Sequence, residues 1–271
     1  MNKAIESIKK YVRAANYLSA AQIYLRNNFL LERPLAFGDI KPRLLGHWGT
    51  CPGINFIYAN LNHLIKKRGV KTLFVLGPGH GFPALQANLF LEGTLREYYP
   101  QATPDEKGAE YLCKNFSWPY GFPSHSNPGT PGVILEGGEL GYALATAYGA
   151  ALDNPDLLVA CVIGDGEAET GPTAAAWHLN KLVNPKTNGA VLPILHLNGY
   201  KISGPTIFGR ISDKELRALF TGYGYRPIIV GGKDIYRKMI AALELSYRTI
   251  KIIQKNTRRG KSAALPRFPM I

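Results

Sequence analysis

Two short apolar runs, each ending on a polar turn, constrain this chain most. Leu157-Leu158-Val159-Ala160-Cys161-Val162-Ile163 is continuous and apolar, the pattern of a strand buried on both faces of a parallel sheet, and it runs straight into Gly164-Asp165-Gly166. A second run, residues 190–197, ends on Asn198. Ligands of open α/β sheets bind at the carboxyl ends of the strands. Two parallel strands therefore place a carboxylate and an amide oxygen at one sheet edge. Such oxygens suit a magnesium ion, which keeps further positions for phosphate oxygens and water. The glycines flanking Asp165 let the backbone turn tightly and come close to a ligand.

The geometry recurs upstream. Lys71-Thr72-Leu73-Phe74-Val75-Leu76 reads as a buried strand ending in Gly77-Pro78-Gly79-His80-Gly81, and Gly46-His47-Trp48-Gly49 is another glycine-flanked turn. The repeat places His47, His80 and Asp165 in one cleft. Helices are expected around Ile5, Ile8, Val12 and Ala15, over 17–28, 55–67, 83–98 and 143–151, and from 234 to 255. Thr103-Pro104-Asp105-Glu106 reads as a helix start capped by Thr103, and Ser212-Asp213-Lys214-Glu215 as a capping box. Residues 226–232 read as a further strand. The loop at 122–132 is dense in proline and glycine yet keeps His125 and Phe122, so it is expected to be functional. Gly138, Gly141, Ala145 and Gly149 form a small-residue stripe suited to close packing against a strand or another subunit. His63, His178 and His196 are read as structural. The fold class is α/β, a doubly wound, mostly parallel sheet with helices on both faces. The boundary is placed at 232, with 233–271 a basic helix and the start of a linker.

Net charge narrows the partners. The chain carries a formal +13, but ten Lys or Arg against two acids lie in residues 233–271, the pattern of a solvated basic helix; nucleic acid is not the expected partner. Phosphorylated ligands would account for some of the rest. No apolar run has transmembrane length and no signal-peptide pattern opens the chain, which points to the cytoplasm. Cys51, Cys113 and Cys161 are widely spaced and suggest neither a disulfide framework nor a zinc site.

Gly-Asp-Gly followed by an asparagine 33 positions after Asp165 resembles the diphosphate and metal motif of thiamine-diphosphate enzymes. The wording is narrower still. Gly164 through Gly171, Leu195-His196-Leu197-Asn198-Gly199-Tyr200-Lys201-Ile202, Gly46-His47-Trp48-Gly49-Thr50, Gly77-Pro78-Gly79-His80-Gly81 and Glu136-Gly137-Gly138-Glu139-Leu140-Gly141-Tyr142 together resemble phosphoketolase, over most of the chain. The resemblance implies cleavage of xylulose 5-phosphate or fructose 6-phosphate with inorganic phosphate, giving acetyl phosphate and an aldose phosphate. It implies thiamine diphosphate and Mg2+ as cofactors, with Asp165, Asn198 and the main-chain carbonyl of Tyr200 as metal ligands. His80, Gly138, Glu139, Leu140, Gly164, Asp165, Gly166, Glu167, Asn198, Tyr200 and Ile202 are implied as cofactor contacts, and His47, His80 and His125 as catalytic. It places the segment around Glu139 near the thiamine and a dimer interface.

The chain departs from the family pattern at Phe82, where a small residue is expected, and at Leu135, where many members carry histidine. Phosphoketolases are also roughly three times as long. The expectation is therefore a diphosphate-binding part that turns over little substrate without a pyrimidine-binding domain, whether in a homo-oligomer or supplied by a complementing chain. A transketolase-like ketol transferase is the neighbouring alternative, and a non-catalytic remnant that binds cofactor or a partner is the other.

Overall fold

The computed structural model describes residues 2–261 and 265–271. They fall into two compact units, one made of residues up to Ala59 with Pro78–Gly138, the other of Asn60–Gly77 with residues from Glu139 onward.

The first unit is helical. Helix α1, Asn2–Tyr24, buries Ile5, Ile8, Val12, Ala15 and Leu18 along one face, the spacing that the sequence displays. It stops at Tyr24, short of the expected 28. Leu25 leaves the helix to bridge Ile40, and Asn28 and Leu31 take left-handed backbone angles that a helix cannot continue through. Helix α2, Cys51–Arg68, begins earlier than expected, passes from the first unit into the second, and ends at Gly69 in the left-handed conformation.

The helix expected over 83–98 is two helices, α3 at Phe82–Leu91 and α4 at Thr94–Tyr98. Gly93 separates them with φ of 87°, a conformation its missing Cβ makes easy. Helix α5, Glu106–Asn115, is capped by Asp105, whose side chain accepts the Gly108 N–H; Thr103 instead hydrogen-bonds the Asp105 carboxylate at 2.6 Å. The cap lies two residues later than expected because a carboxylate suits that position at least as well as a hydroxyl.

The second unit holds the sheet. Strand β1 (Thr72–Leu76) is followed by helix α6 (Ala143–Leu152) and strand β2 (Leu158–Gly164); short helices α7 (Asp165–Ala168) and α8 (Gly171–Ala176) lead to β3 (Ala190–His196). The three strands are parallel in the order β1-β2-β3, with Leu76 opposite Val162 and Gly164 opposite His196. Val159 through Ile163 are entirely buried, as a continuous apolar run requires. Helix α6 turns Ala143, Leu144, Ala147 and Ala151 inward. Ala145 and Gly149 of the small-residue stripe are exposed, so the stripe does not pack against a strand of this unit.

Beyond the sheet, β4 (Tyr200–Lys201) and β5 (Gly204–Pro205) form a tight antiparallel pair, and α9 (Asp213–Gly222) starts at the Ser212 capping box. The strand expected over 226–232 is only β6, Arg226–Pro227, and it lies outside the main sheet. Proline offers no N–H at 227 and glycines follow at 231 and 232, so pairing stops after the Ile228 N–H donates to the Met270 carbonyl at 2.9 Å. After helix α10 (Ile235–Arg258), strand β7 (Pro269–Met270) pairs in parallel with β6. Ile271 then exchanges backbone hydrogen bonds with Pro193 and Leu195, covering part of the β3 edge.

Helix α10 buries Met239, Ala242, Leu243 and Ile250. Its acid Glu244 gathers Arg68, Lys67 and Arg248, and Arg258 reaches the Pro155 carbonyl at 2.8 Å. The basic tail is thus an amphipathic helix docked on its own unit. Cys51, Cys113 and Cys161 are free and buried, and no helix among the described residues is long and apolar enough to cross a membrane.

Candidate functional site

In the second unit the β2 and β3 carboxyl ends finish side by side, and Asp165 takes the first helical position after β2. Its side chain is buried. Oδ1 accepts the Gly166 N–H at 3.1 Å, while Oδ2 accepts the Gly199 N–H at 2.7 Å and the Thr206 hydroxyl at 2.8 Å. Gly199 directly follows Asn198, so the Asp165 carboxylate and the Asn198 backbone stand at one edge. The Asn198 amide oxygen accepts the Tyr200 N–H at 3.0 Å, folding the start of the β4–β5 pair over this edge. Thr206, fully buried, went unnoticed in the sequence; a lone threonine beyond Gly204-Pro205 gives no signal of its contact with a residue 41 positions away.

Among the described residues, no group of three or more His, Cys, Asp or Glu side chains is arranged to hold a metal ion. The expected set contains only one residue of those types, Asp165, joined by an amide oxygen and a main-chain carbonyl. An all-oxygen set with one carboxylate at a strand end fits magnesium, which takes few protein ligands and completes its shell with phosphate and water. Of the other expected contacts, Tyr200 is exposed and Ile202 almost fully so, at the tip of the β4–β5 pair. Lys201 pairs with the Glu169 carboxylate at 2.8 Å.

Glu167 is buried two residues beyond Asp165. Its carboxylate accepts the Gly141 N–H at 3.2 Å and the Gly164 N–H at 3.4 Å, tying the segment before α6 to the end of β2. A Cβ on Gly77 would collide with this carboxylate and lie 2.6 Å from the Val162 carbonyl, which explains the glycine at the end of β1. Glu139 and Leu140 project from that same segment into solvent. Burial pushes the Glu167 carboxyl up to about 7, against the lowering effect of the backbone N–H groups.

The folded state therefore holds a proton that the unfolded chain releases between about 4.5 and about 7. That contribution to stability is present in full below the unfolded value and is lost as pH rises through the folded one. Urea unfolding across this window should show the free energy falling with rising pH. Glu167→Gln should flatten that fall; an unchanged slope would place the proton elsewhere.

The histidines expected to be catalytic lie in the first unit. The His47 N–H donates to the His80 carbonyl at 3.1 Å, and the two rings meet edge to face with centroids 5.0 Å apart. The Ser126 N–H donates to the Gly79 carbonyl at 3.2 Å, docking the 122–132 loop on the same turn, and His125 Nδ1 lies 2.9 Å from the Ser124 hydroxyl. This close approach needs glycine: a Cβ on Gly79 would run into the Gly137 backbone. His47 Nδ1 and Ser126 Oγ are buried with no hydrogen-bond partner among the described residues. Orphaned polar atoms in a histidine cluster mark a place where a hydrogen-bonding ligand gains energy. Phe82, the departure beside His80, begins α3 and lies against Phe116 at 6.4 Å. His196 ends β3, and burial lowers its pKa; His178 packs edge-on against Tyr223 at 5.0 Å.

The profile of the XFP N-terminal domain matches residues 1–271. A probable phosphoketolase of Bradyrhizobium diazoefficiens is 57% identical over 271 residues, covering 98% of this chain and 34% of the relative. The chain belongs to the phosphoketolase family. A probable phosphoketolase of Brucella abortus is 58% identical over 267 residues, again with 34% of the relative covered, so the chain spans about a third of the length of these relatives. Among solved structures, the transketolase of Campylobacter jejuni superposes with a TM-score of 0.64 at 20% identity, covering 97% of this chain and 37% of that one. The transketolase of Leishmania mexicana gives 0.64 at 19%, covering 98% and 36%. The fold of this phosphoketolase-family chain is thus the transketolase fold, as its α/β reading requires.

Proposed function

We propose that this chain is the diphosphate-binding part of a cytoplasmic phosphoketolase, acting as a homo-oligomer or with a complementing pyrimidine-domain chain. The enzyme cleaves xylulose 5-phosphate or fructose 6-phosphate with inorganic phosphate to acetyl phosphate and a shortened aldose phosphate. The observation that carries the reading is the buried Asp165 carboxylate accepting the Gly199 N–H beside Asn198, at the carboxyl edge of β2 and β3.

When bound, thiamine diphosphate supplies the electron sink for carbon–carbon cleavage. Asp165, Asn198 and the Tyr200 carbonyl would hold the Mg2+, which would supply positive charge to offset a diphosphate. By the resemblance, His80, Gly138, Glu139, Leu140, Gly164, Gly166, Glu167 and Ile202 would contact the cofactor. His47, His80 and His125 bind substrate hydroxyls and move protons at those oxygens, work suited to a side chain that changes protonation near neutral pH. The unpartnered His47 Nδ1 supports this role.

A hydroxamate assay for acetyl phosphate tests the proposal. The chain alone should form little product; with a chain supplying the pyrimidine-binding domain, phosphate-dependent acetyl phosphate should appear. Transfer of the two-carbon unit to an added aldose phosphate, with no dependence on inorganic phosphate, would instead assign a ketol transferase. No product from the complemented pair would leave a non-catalytic remnant.

A further inference from the structure

We infer that a cavity beneath the 122–132 loop, inside the first unit, is a binding site for a small neutral polyol of about glycerol size. The cavity, partly open to solvent, has a volume of about 150 Å3. A cavity of about that volume accepts a benzene-sized guest, and glycerol has the same number of non-hydrogen atoms. Gln86 of α3 lies at its floor. The residue is fully buried, and neither Oε1 nor Nε2 has a hydrogen-bond partner among the described residues. An amide buried in that state is unfavourable at both ends, and the group that relieves it must donate to one end and accept from the other. A hydroxyl does both.

The rest of the lining narrows the ligand. Tyr99, Asn127 and Thr130 border the same space; the Asn127 Oδ1 is occupied by the Gly129 N–H at 2.9 Å, which leaves its NH2 group as a donor. Phe82, Leu95 and Phe122 make apolar walls. Among the described residues no charged side chain lines the cavity, so nothing there compensates a phosphate or carboxylate. Water satisfies the amide but leaves hydrogen bonds unmade against the aromatic walls. A polyol lays C–H groups on Phe82 and Phe122 and directs hydroxyls to Gln86, matching both kinds of surface. His47, His80 and His125 are not among the lining residues, so this site is additional to the histidine cluster.

The test is a nuclear magnetic resonance titration of the labelled chain with glycerol, following the Gln86 side-chain NH2. Sorbitol, with twice as many non-hydrogen atoms as glycerol and so a poorer match to about 150 Å3, serves as the osmolyte control at equal osmolality. The expected result is a saturable Gln86 shift with glycerol, none with sorbitol, and its associated binding lost in Gln86→Leu. That variant should melt no lower than the parent without polyol, since an apolar group of similar size removes an unpaired amide. Thr130→Val should weaken glycerol about tenfold, the effect of one lost hydrogen bond, and carries the comparison if Gln86→Leu fails to fold. The inference is overturned by no saturable shift, by an equal response to sorbitol, or by unchanged glycerol affinity, read from other cavity resonances, in the variant that folds.

Discussion

Lys41→Met should lower the free energy of unfolding by about 3 to 5 kcal/mol. Lys41 is buried, and its ammonium donates at 2.8 Å to each of three carbonyls, those of Gln22, Cys113 and Phe116. Burial brings its pKa down to about 8, so the group remains mostly charged at neutral pH with its three N–H donors all used. Methionine fills a similar volume but donates nothing. Three carbonyls are then left dry, at about 1 to 3 kcal/mol each, offset in part because the charge no longer has to be taken out of water. The side chain also lies 5.4 Å from the Phe116 ring centre. Urea denaturation followed by circular dichroism measures the loss; a change below about 1 kcal/mol would mean that water replaces the lysine among the three carbonyls.

The second large effect is at Asp165. Asp165→Ala strips the acceptor from the Gly199 N–H, the Thr206 hydroxyl and the Gly166 N–H together. With Asp165 and Thr206 buried and the two glycine N–H groups partly so, the cost should be about 2 to 4 kcal/mol, and the start of the β4–β5 pair should loosen because Gly199 anchors it. Asp165→Asn separates charge from packing. It keeps one acceptor oxygen and the size of the side chain, so it should retain more of the stability. As it removes the only carboxylate of the proposed magnesium set, it should bind the metal far more weakly. A stable Asp165→Ala variant would show that these three hydrogen bonds are replaceable.

The two sites differ in how far the sequence discloses them. The edge holding Asp165 and Asn198 was legible because a buried parallel strand is written locally: apolar residues in a run, then glycines at the turn. The three strands of the sheet were read that way, and so was the amphipathic character of α1 and α10. Lys41 gave no such sign. Its acceptors lie 19, 72 and 75 positions away, and a lysine before a proline reads as an ordinary loop residue. Gln86 was equally silent within a segment expected to be one continuous helix. The break at Gly93 and the short β6 were misread for a shared reason: apolar periodicity continues through both places, while backbone conformation and the lack of a pairing partner stop the element.

The histidine cluster stands between these cases. Glycines around His47 and His80 marked them as turn residues, yet their ring contact joins residues 33 positions apart through the His47 N–H and the His80 carbonyl, which local spacing does not encode. His125 entered through the density of proline and glycine around it and through the family resemblance. Its loop is held to the turn by the hydrogen bond from Ser126 to the Gly79 carbonyl.

Calorimetric titration of the purified chain and its Asp165→Asn variant with thiamine diphosphate, each with and without Mg2+, bears most directly on the cofactor assignment. Saturable binding that needs the metal and vanishes in the variant is the expected result. Equal binding by both proteins, or heat that is indifferent to Mg2+, would contradict a cation held at the shared edge of β2 and β3.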